Sequence, residues 1–187
     1  YENKEWIWGY KETDQIGGID PYSASKGACE IMINSHIKSF FPENSLVRIG
    51  IGRAGNVIGG GDWSKNRIVP DAVKSWAEKK TLILRKPLST RPWQHVLEPL
   101  CGYLQLASRL SLHKTIHGEP FNFGPPSDQN FSVKHLINEM SKYWDDVMWE
   151  DNSSIEDKFH EAGLLKLNCD KALSLLNWMP TLNFEQT

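Results

Sequence analysis

The chain has 187 residues and a net charge of −2 at pH 7, a size that supports one good-sized core and a small second lobe. The sequence has no basic field of the kind that binds nucleic acid and no apolar run near the ~20 residues that span a bilayer, so neither partner is expected. Cys29, Cys101 and Cys169 are widely spaced and form no Cys-x-x-Cys pair, which is typical of reduced thiols and predicts a cytoplasmic protein.

The first predicted helix follows a loop. Residues 1–19 are polar and aromatic with several glycines, which predicts the loop. Asp20 can cap a helix N-terminus, the proline after it suits the first helical position, and apolar residues then recur at helical spacing. We therefore predict a helix over residues 21–41, which ends because Pro42 follows.

Two residues near the start of this helix form a candidate proton-transfer pair. Tyr22 and Lys26 are four residues apart, so they share one helix face. A nearby ammonium favours the phenolate form of a tyrosine. The pair could therefore take a proton from a substrate hydroxyl while Lys26 also holds a polar cofactor. The alternative is an ordinary surface tyrosine and lysine, because this spacing is common.

A glycine pattern follows the next element. Residues 46–51 predict a buried strand of the parallel-sheet type, and residues 50–55 match Gly-x-Gly-x-x-Gly directly after it. A dinucleotide-binding loop must open into a helix, whereas this chain continues into more glycines. We interpret residues 53–63 as a substrate-facing loop, in which Asn56 offers both a donor and an acceptor. The alternative is a glycine-rich turn with a self-bonding asparagine.

The same patterns assign the elements of the remaining chain. Helices are predicted over residues 66–80, 97–112, 132–144 and 171–177. Short strands are predicted over residues 82–85, 120–124 and 147–149, and a polar loop over residues 150–162. The apolar side of the second of these helices is assigned to Leu100, Leu104, Ala107 and Leu110.

Two arginines are candidate ligand-binding residues. Arg67 lies near the start of a predicted helix, and Arg91 opens the run RPWQHV. A planar guanidinium suits bidentate binding of phosphate, although either arginine could also be an ordinary charged or structural side chain. His95 has no metal-ligand companion at a usable spacing, so it is interpreted as a hydrogen-bonded structural histidine. Trp93 is interpreted as a core or pocket-wall residue.

Several of these motifs resemble the short-chain dehydrogenase/reductase superfamily. The run DPYSASK at residues 20–26 resembles its active-site helix, and the proline and serines resemble the extended, nucleotide-sugar-modifying branch. The runs RAGNVIGGGDW at residues 53–63 and RPWQHVLEP at residues 91–99 resemble the CDP-glucose 4,6-dehydratase family. The resemblance extends over the whole chain.

This resemblance implies an α/β fold, an enzymatic activity and a set of site residues. The fold would be the second half of a Rossmann-like parallel sheet domain, about residues 1–58, with a small α/β substrate-binding lobe formed mostly by residues 59–187. The activity would convert CDP-glucose to CDP-4-keto-6-deoxyglucose with NAD, in a homo-oligomeric enzyme of deoxysugar and O-antigen biosynthesis. The resemblance assigns proton transfer and NAD binding to Tyr22 and Lys26, and binding of the nucleotide diphosphate to Asn56, Arg67 and Arg91.

Some implications concern parts of the family pattern that this chain lacks. The glycine-rich cofactor loop would lie upstream of Tyr1, so the chain alone is expected to have neither dehydratase activity nor useful NAD affinity. Residues 160–162 stand where related enzymes often place a phosphate-binding arginine, and none is there. Two alternatives stay open. One is another extended-branch enzyme, such as an epimerase or GDP-mannose 4,6-dehydratase, and the other is a noncatalytic binding fragment.

Overall fold

A computed structural model describes residues 1–152 and 163–187. Its helices are α1 (Pro21–Phe40), α2 (Ile68–Ala77), α3 (Leu97–Leu112), α4 (Val133–Ser141) and α5 (Asp170–Leu176). Its strands are β1 (Ile51–Ala54), β2 (Asn56–Ile58), β3 (Leu82–Leu84), β4 (Thr90–Arg91), β5 (Trp93–His95), β6 (Pro120–Phe123), β7 (Phe131–Ser132) and β8 (Trp149–Asp151). No helix within the described ranges is both long and apolar enough to cross a membrane.

The strands form four pairs, and three of the pairs are parallel. Strand β1 pairs with β6, β2 with β5 and β3 with β8 in parallel, while β4 and β7 are antiparallel. Parallel strands require crossover connections, and helices supply several of them here. The predicted α/β fold class is therefore confirmed, while the predicted boundary between a sheet domain and a substrate lobe stays a prediction.

One carbonyl connects two of the parallel pairs. The backbone oxygen of Phe123, at the end of β6, accepts hydrogen bonds from Gly55 N at 3.1 Å and from Gln94 Nε2 at 2.8 Å. Gly55 lies between β1 and β2, and Gln94 lies in β5. This junction fixes the β2/β5 pair against the end of the β1/β6 pair, and so positions the chain around Asn56 relative to the sheet.

Helix α1 begins as its sequence predicts. The carboxylate of Asp20 accepts hydrogen bonds from Tyr22 N at 2.9 Å and Ser23 N at 3.0 Å, and Pro21 occupies the first turn. The helix ends at Phe40, one residue from the predicted end. Gly27 and Ile37 are its buried residues, so most of α1 is exposed in this chain.

The core consists of three apolar clusters. The largest joins α3, β6 and α5 and includes Leu106, Leu110, Phe121, Phe123, Leu176 and Trp178. A second cluster joins α2, β3 and α4 and includes Ala72, Trp76, Leu82, Leu84 and Ile137. The third is formed by Trp93, Leu136 and Phe184. These clusters support the strands that border the candidate site described below.

The strand predicted over residues 46–51 begins later than expected. Leu46 is 100% exposed, and the first residue of β1 is Ile51, which is paired with Pro120. The expected loop over residues 53–63 was also partly wrong, because it contains the end of β1 and all of β2. The pairing partners lie far along the chain, in β6 and β5, so the local glycine pattern did not reveal them.

The predicted apolar face of α3 was right at Leu110 and wrong at its other three residues, although the bounds of the helix were right. Leu104 is 74% exposed, and Leu100 and Ala107 are also exposed. The buried stripe instead contains Gly102, Leu106 and Leu110. It faces Phe123, whose ring lies so close that a Cβ at Gly102 would be 2.4 Å from its Cδ1 atom.

Other predicted elements differ mainly at their ends. Helix α2 is shorter than the predicted 66–80, α4 ends at Ser141, and β8 starts two residues later than predicted. Helix α5 begins at Asp170, whose backbone N–H is capped by Asn168 Oδ1 at 3.1 Å. The first two residues of the predicted polar loop, 150 and 151, belong to β8 instead. The rest of that prediction, over residues 153–162, and the missing arginine at residues 160–162 lie outside the described residues.

Candidate functional site

A groove of about 1250 Å³ contains four of the five predicted site residues. Tyr22, Asn56, Arg67 and Arg91 line it, although they come from α1, β2, the start of α2 and β4. Lys26 is the predicted residue that does not line it. The fold thus brings together side chains that are far apart in sequence, which is the arrangement expected for a ligand site.

Tyr22 and Lys26 are adjacent on the exposed face of α1. Lys26 Nζ lies 5.6 Å from the centre of the Tyr22 ring. Tyr22 is 68% exposed, and Lys26 is also exposed. Tyr22 is the second residue of α1, and its backbone N–H is capped by the Asp20 carboxylate at 2.9 Å. The helix thus places a hydroxyl and an ammonium side by side on one exposed face.

Asn56 and Arg91 stand on paired or neighbouring strands. Asn56 starts β2 and lies opposite Trp93 in β5. Trp93 in turn follows Arg91 by two residues. Arg91 is only 8% exposed, lies opposite Phe131 in the β4/β7 pair, and donates from Nη1 to Thr90 O at 2.8 Å. A planar guanidinium at the wall of a groove has a shape that suits bidentate binding of an anionic group.

Arg67 is an exposed cation of the groove wall. It occupies the N-cap position of α2, and its Nε atom lies 3.3 Å from Asp62 Oδ2. Both side chains are substantially exposed, so this ion pair contributes little to stability. Since the pair is weak, Arg67 can exchange Asp62 for a phosphate oxygen at little cost.

Two neighbours of Arg91 have structural roles. The indole of Trp93 is buried, lines the groove and donates from Nε1 to Phe131 O at 3.0 Å. His95 accepts from Leu97 N through Nδ1 at 3.2 Å, in agreement with the prediction of a hydrogen-bonded structural histidine. In the part of the chain that the structure describes, no group of histidine, cysteine or acidic residues could hold a metal ion.

The literal glycine pattern at residues 50–55 is not a cofactor loop. Residues 51–54 of it form β1, which passes into β2, and the next helix starts only at Ile68. A pyrophosphate-binding loop needs a helix N-terminus directly after the glycines. The interpretation of this pattern as misleading is therefore confirmed.

Sequence reasoning missed a buried polar network beneath α1. Arg53 in β1 donates to the Glu30 carboxylate of α1 from Nε at 2.9 Å and from Nη2, and the two side chains are 13% and 12% exposed. Arg53 Nη1 also donates to Tyr1 Oη, which donates to Asn122 Oδ1 at 2.6 Å. The charge of Arg53 inside the short strand β1 was a signal for a buried ion pair, but the sequence spacing did not identify Glu30 as its partner.

Burial and hydrogen bonding set the charge states in this network. Burial raises the pKa of the Tyr1 phenol to about 12, so Tyr1 stays neutral at ordinary pH. Burial acts against the charge of Arg53, but the hydrogen bonds that Arg53 donates to Glu30 and Tyr1 outweigh it, and the pKa of Arg53 is raised. The ion pair between Arg53 and Glu30 thus lies beside a neutral Tyr1 phenol.

Comparison with known proteins shows which proteins this chain is similar to. The chain is 43% identical to the CDP-glucose 4,6-dehydratase of Salmonella typhimurium over 192 residues, which cover 100% of this chain and 53% of the relative. It is 25% identical to the UDP-glucose 4-epimerase of Mycoplasma pneumoniae over 173 residues, covering 87% of this chain and 49% of that relative. The chain thus spans about half the length of the curated relatives it matches. No protein-family model matches it.

A solved structure shows the same fold. The dTDP-glucose 4,6-dehydratase of Bacillus anthracis, determined in complex with NAD, superposes with a TM-score of 0.72 at 19% identity. The superposition covers 96% of this chain and 53% of that protein. The resemblance inferred from the motifs is therefore confirmed: the chain is similar over its whole length to about half of a CDP-glucose 4,6-dehydratase, and it has the Rossmann-like fold of the nucleotide-sugar dehydratases.

Proposed function

We propose that this chain carries the sugar-nucleotide site of an NAD-dependent dehydratase that converts CDP-glucose to CDP-4-keto-6-deoxyglucose. One observation carries the proposal. Tyr22, Asn56, Arg67 and Arg91 meet in one groove, in a chain that is 43% identical over its whole length to a CDP-glucose 4,6-dehydratase. Such a groove with convergent polar groups is the expected form of a small-molecule site.

The charges of the groove suit a nucleotide diphosphate. Among its described lining residues, the basic ones are Lys65, Arg67, Arg85, Lys86 and Arg91, whereas the acidic ones are Asp62 and Asp71. The lining is therefore net positive. Arg91 would bind the diphosphate with its planar fork, Arg67 would add a second cation, and Asn56 would donate or accept a hydrogen bond. The α2 N-terminus, which begins beside Arg67, also favours an anion.

The exposed pair on α1 fits one end of NAD. Tyr22 and Lys26 offer hydroxyl and ammonium donors on a solvent-open face, and they would hold the nicotinamide ribose. Held there by Tyr22 and Lys26, NAD would supply the hydride-transfer chemistry of the reaction. Residues 50–55 do not fit the pyrophosphate, because they form a strand without a following helix. We therefore expect this chain alone to have no useful NAD affinity. Calorimetric titration of the purified chain with NAD would test this expectation.

The role of Tyr22 follows from its position. Its phenolate oxygen would take the proton of the sugar 4-hydroxyl while C4 becomes a ketone. Lys26, whose Nζ lies 5.6 Å from the centre of the Tyr22 ring, would stabilise the phenolate through its positive charge. The ketone at C4 acidifies the proton at C5, so the 6-hydroxyl can leave as water. The diphosphate contacts would keep the sugar fixed during these steps.

The direct test is product analysis with the complete protein. Incubation with CDP-glucose and NAD should convert the sugar CH₂OH group to a methyl group, which proton NMR detects. The absence of a methyl product would overturn the proposed reaction. The similarity to a UDP-glucose 4-epimerase makes an epimerase the second candidate. It would instead yield an isomer of the substrate without loss of water, and parallel incubations with UDP-glucose and GDP-mannose would identify it or a sister dehydratase.

We further propose that the complete protein is a cytoplasmic homo-oligomer that serves deoxysugar and O-antigen biosynthesis. The exposed apolar side chains of α1, among them Ile31, Met32 and Phe40, support self-association through this helix. Light scattering after size-exclusion chromatography would measure the oligomeric state. A monomeric complete protein would overturn that part of the proposal.

A further inference from the structure

Three polar residues follow one another along one face of α1. Tyr22, Lys26 and Glu30 are spaced by four residues, so Lys26 has a tyrosine one turn before it and a carboxylate one turn after it. A lysine and a glutamate at this spacing usually attract each other on a helix surface. Here Lys26 Nζ instead lies 5.6 Å from the centre of the Tyr22 ring.

The carboxylate of Glu30 is occupied by another cation. Arg53 Nε donates to Glu30 Oε2 at 2.9 Å, and Arg53 Nη2 donates to Glu30 Oε1. Both oxygens are therefore held in a two-pronged contact, and both side chains are largely buried. Lys26 is fully on the exposed side of the helix, and no ion pair is recorded for it among the described residues.

The other contacts of Arg53 hold its guanidinium in place. Its Nη1 atom donates to Tyr1 Oη and to Glu12 O at 3.1 Å, and its guanidinium carbon lies 4.8 Å from the centre of the Tyr1 ring. The other buried carboxylate nearby, that of Glu12, accepts from Asn122 N through Oε1 at 2.8 Å, and Arg53 reaches only the backbone oxygen of Glu12. Among the described residues, the salt bridge of Arg53 is therefore with Glu30.

We propose that Arg53 is a positioning residue of the proton-transfer site. By holding both carboxylate oxygens of Glu30, it prevents Glu30 from pairing with Lys26 and leaves the Lys26 ammonium directed at Tyr22. Arg53 acts through Glu30 and Lys26 and touches no reacting atom. The consequence for catalysis rests on the function proposed above, whereas the consequence for the charge partner of Lys26 does not.

The test in the complete protein uses two substitutions and their combination. Arg53→Met should release Glu30, which then pairs with Lys26. Turnover should fall about tenfold, because the proton-transfer pair would lose part of the rate contribution of an acid–base group. Arg53→Met combined with Glu30→Gln removes the competing charge, so turnover should return to within about threefold of the parent, since the two sites are coupled. Arg48→Met is the matched control, because Arg48 donates to the backbone oxygens of Leu110 and Ser111 and forms no ion pair within the described ranges.

A chemical readout separates this role from a merely structural one. Reductive methylation followed by peptide mass spectrometry measures how readily each lysine gives up its proton. Methylation of Lys26 should slow in Arg53→Met and recover in the double variant, while Lys38 near the end of the same helix stays constant in all variants. A general loss of structure would change both lysines together.

Each outcome decides one of the two claims. If the parent protein forms no methyl product from CDP-glucose, the proposed function fails, and the labelling of Lys26 still tests the role of Arg53. If Lys26 labelling is the same in the parent and in Arg53→Met, the inference is overturned. It is also overturned if the double variant is as slow as Arg53→Met, because Arg53 would then act independently of Glu30.

Discussion

The ammonium of Lys26 lies 5.6 Å from the centre of the Tyr22 ring, one turn away on α1, and of the two exposed side chains it is Tyr22 that lines the positively charged groove. This relationship links the two halves of the proposed site. The helix would supply the proton-transfer group, and the strands and α2 would supply the residues that bind the diphosphate. The predictions below test the two halves separately.

Tyr22→Phe should abolish proton transfer and keep the shape of the site. Turnover of the complete protein should fall by about 10²–10⁴-fold, the usual contribution of general acid–base catalysis, with little change in affinity for CDP-glucose. Steady-state kinetics and calorimetry measure the two quantities. Tyr143→Phe is the control, because Tyr143 is 84% exposed and does not line the groove. Activity within a few fold of the parent would remove Tyr22 from the mechanism.

Arg91→Lys should weaken diphosphate binding, because it keeps the charge and loses the planar fork. The loss of a charged hydrogen bond costs about 1.5–3 kcal/mol, which is roughly tenfold to a hundredfold in affinity. The loss should be similar for CDP and CDP-glucose, since the contact is to phosphate. Arg109→Lys, on α3 away from the groove, should bind CDP like the parent. Unchanged CDP affinity in Arg91→Lys would make Arg91 a structural residue.

Gly102→Ala should destabilise the core of the α3/β6 interface. The new Cβ would lie 2.4 Å from Phe123 Cδ1, and overpacking of this kind costs about 1–3 kcal/mol. The better helix propensity of alanine, worth about 1 kcal/mol, offsets part of this cost. Thermal unfolding should show a lower midpoint for Gly102→Ala than for Gly60→Ala, whose Cβ would meet no atom within 4 Å. Equal midpoints would contradict the packing described for Gly102.

The Cys169 thiol should be inert in the folded protein. Burial raises its pKa from 9.0 to about 12, so the reactive thiolate is scarce at pH 8. Alkylation by iodoacetamide should therefore be slow in buffer and should accelerate at least about tenfold in urea, as peptide mass spectrometry would show. Rapid alkylation of Cys169 in the folded protein would place it at the surface.

The same shift gives a pH dependence of stability. A raised folded-state pKa stabilises the fold fully below the unfolded value near 9.0, and this stabilisation is lost as pH rises toward about 12. The free energy of unfolding of the parent should therefore decline across that range more steeply than that of Cys169→Ala. Parallel curves for the two proteins would show that the thiol has no part in the alkaline transition.

Much of the helical structure could be predicted from local signals. Asp20 and Pro21 define the start of α1, and the predicted bounds of α3 match its observed ends. The buried face of α3 could not be predicted, because leucines stand on both sides of that helix and tertiary partners such as Phe123 and Trp178 decide which side is covered. Strand β2 was missed for a similar reason, since its partner β5 lies more than thirty residues away.

The residues of the candidate site could be selected from the sequence where they lie in or near long motifs. Tyr22, Asn56, Arg67 and Arg91 were selected from motifs, and the structure places all four on one groove. The ion pair between Arg53 and Glu30 was not predictable, because the residues lie on different elements and nothing in their spacing links them. Tertiary contacts of this kind depend on how α1 packs on β1, which the sequence pattern alone does not specify.

The most direct test of the central claim is the fate of the hydrogen at C4 of the sugar. The complete protein should be incubated with NAD and CDP-glucose that carries deuterium at C4, and the product analysed by NMR and mass spectrometry. The proposed dehydratase predicts CDP-4-keto-6-deoxyglucose with the deuterium in its C6 methyl group, and Tyr22→Phe should slow this transfer. Deuterium that remains at C4 of an unreacted or epimerised sugar, with no methyl group formed, would contradict the account.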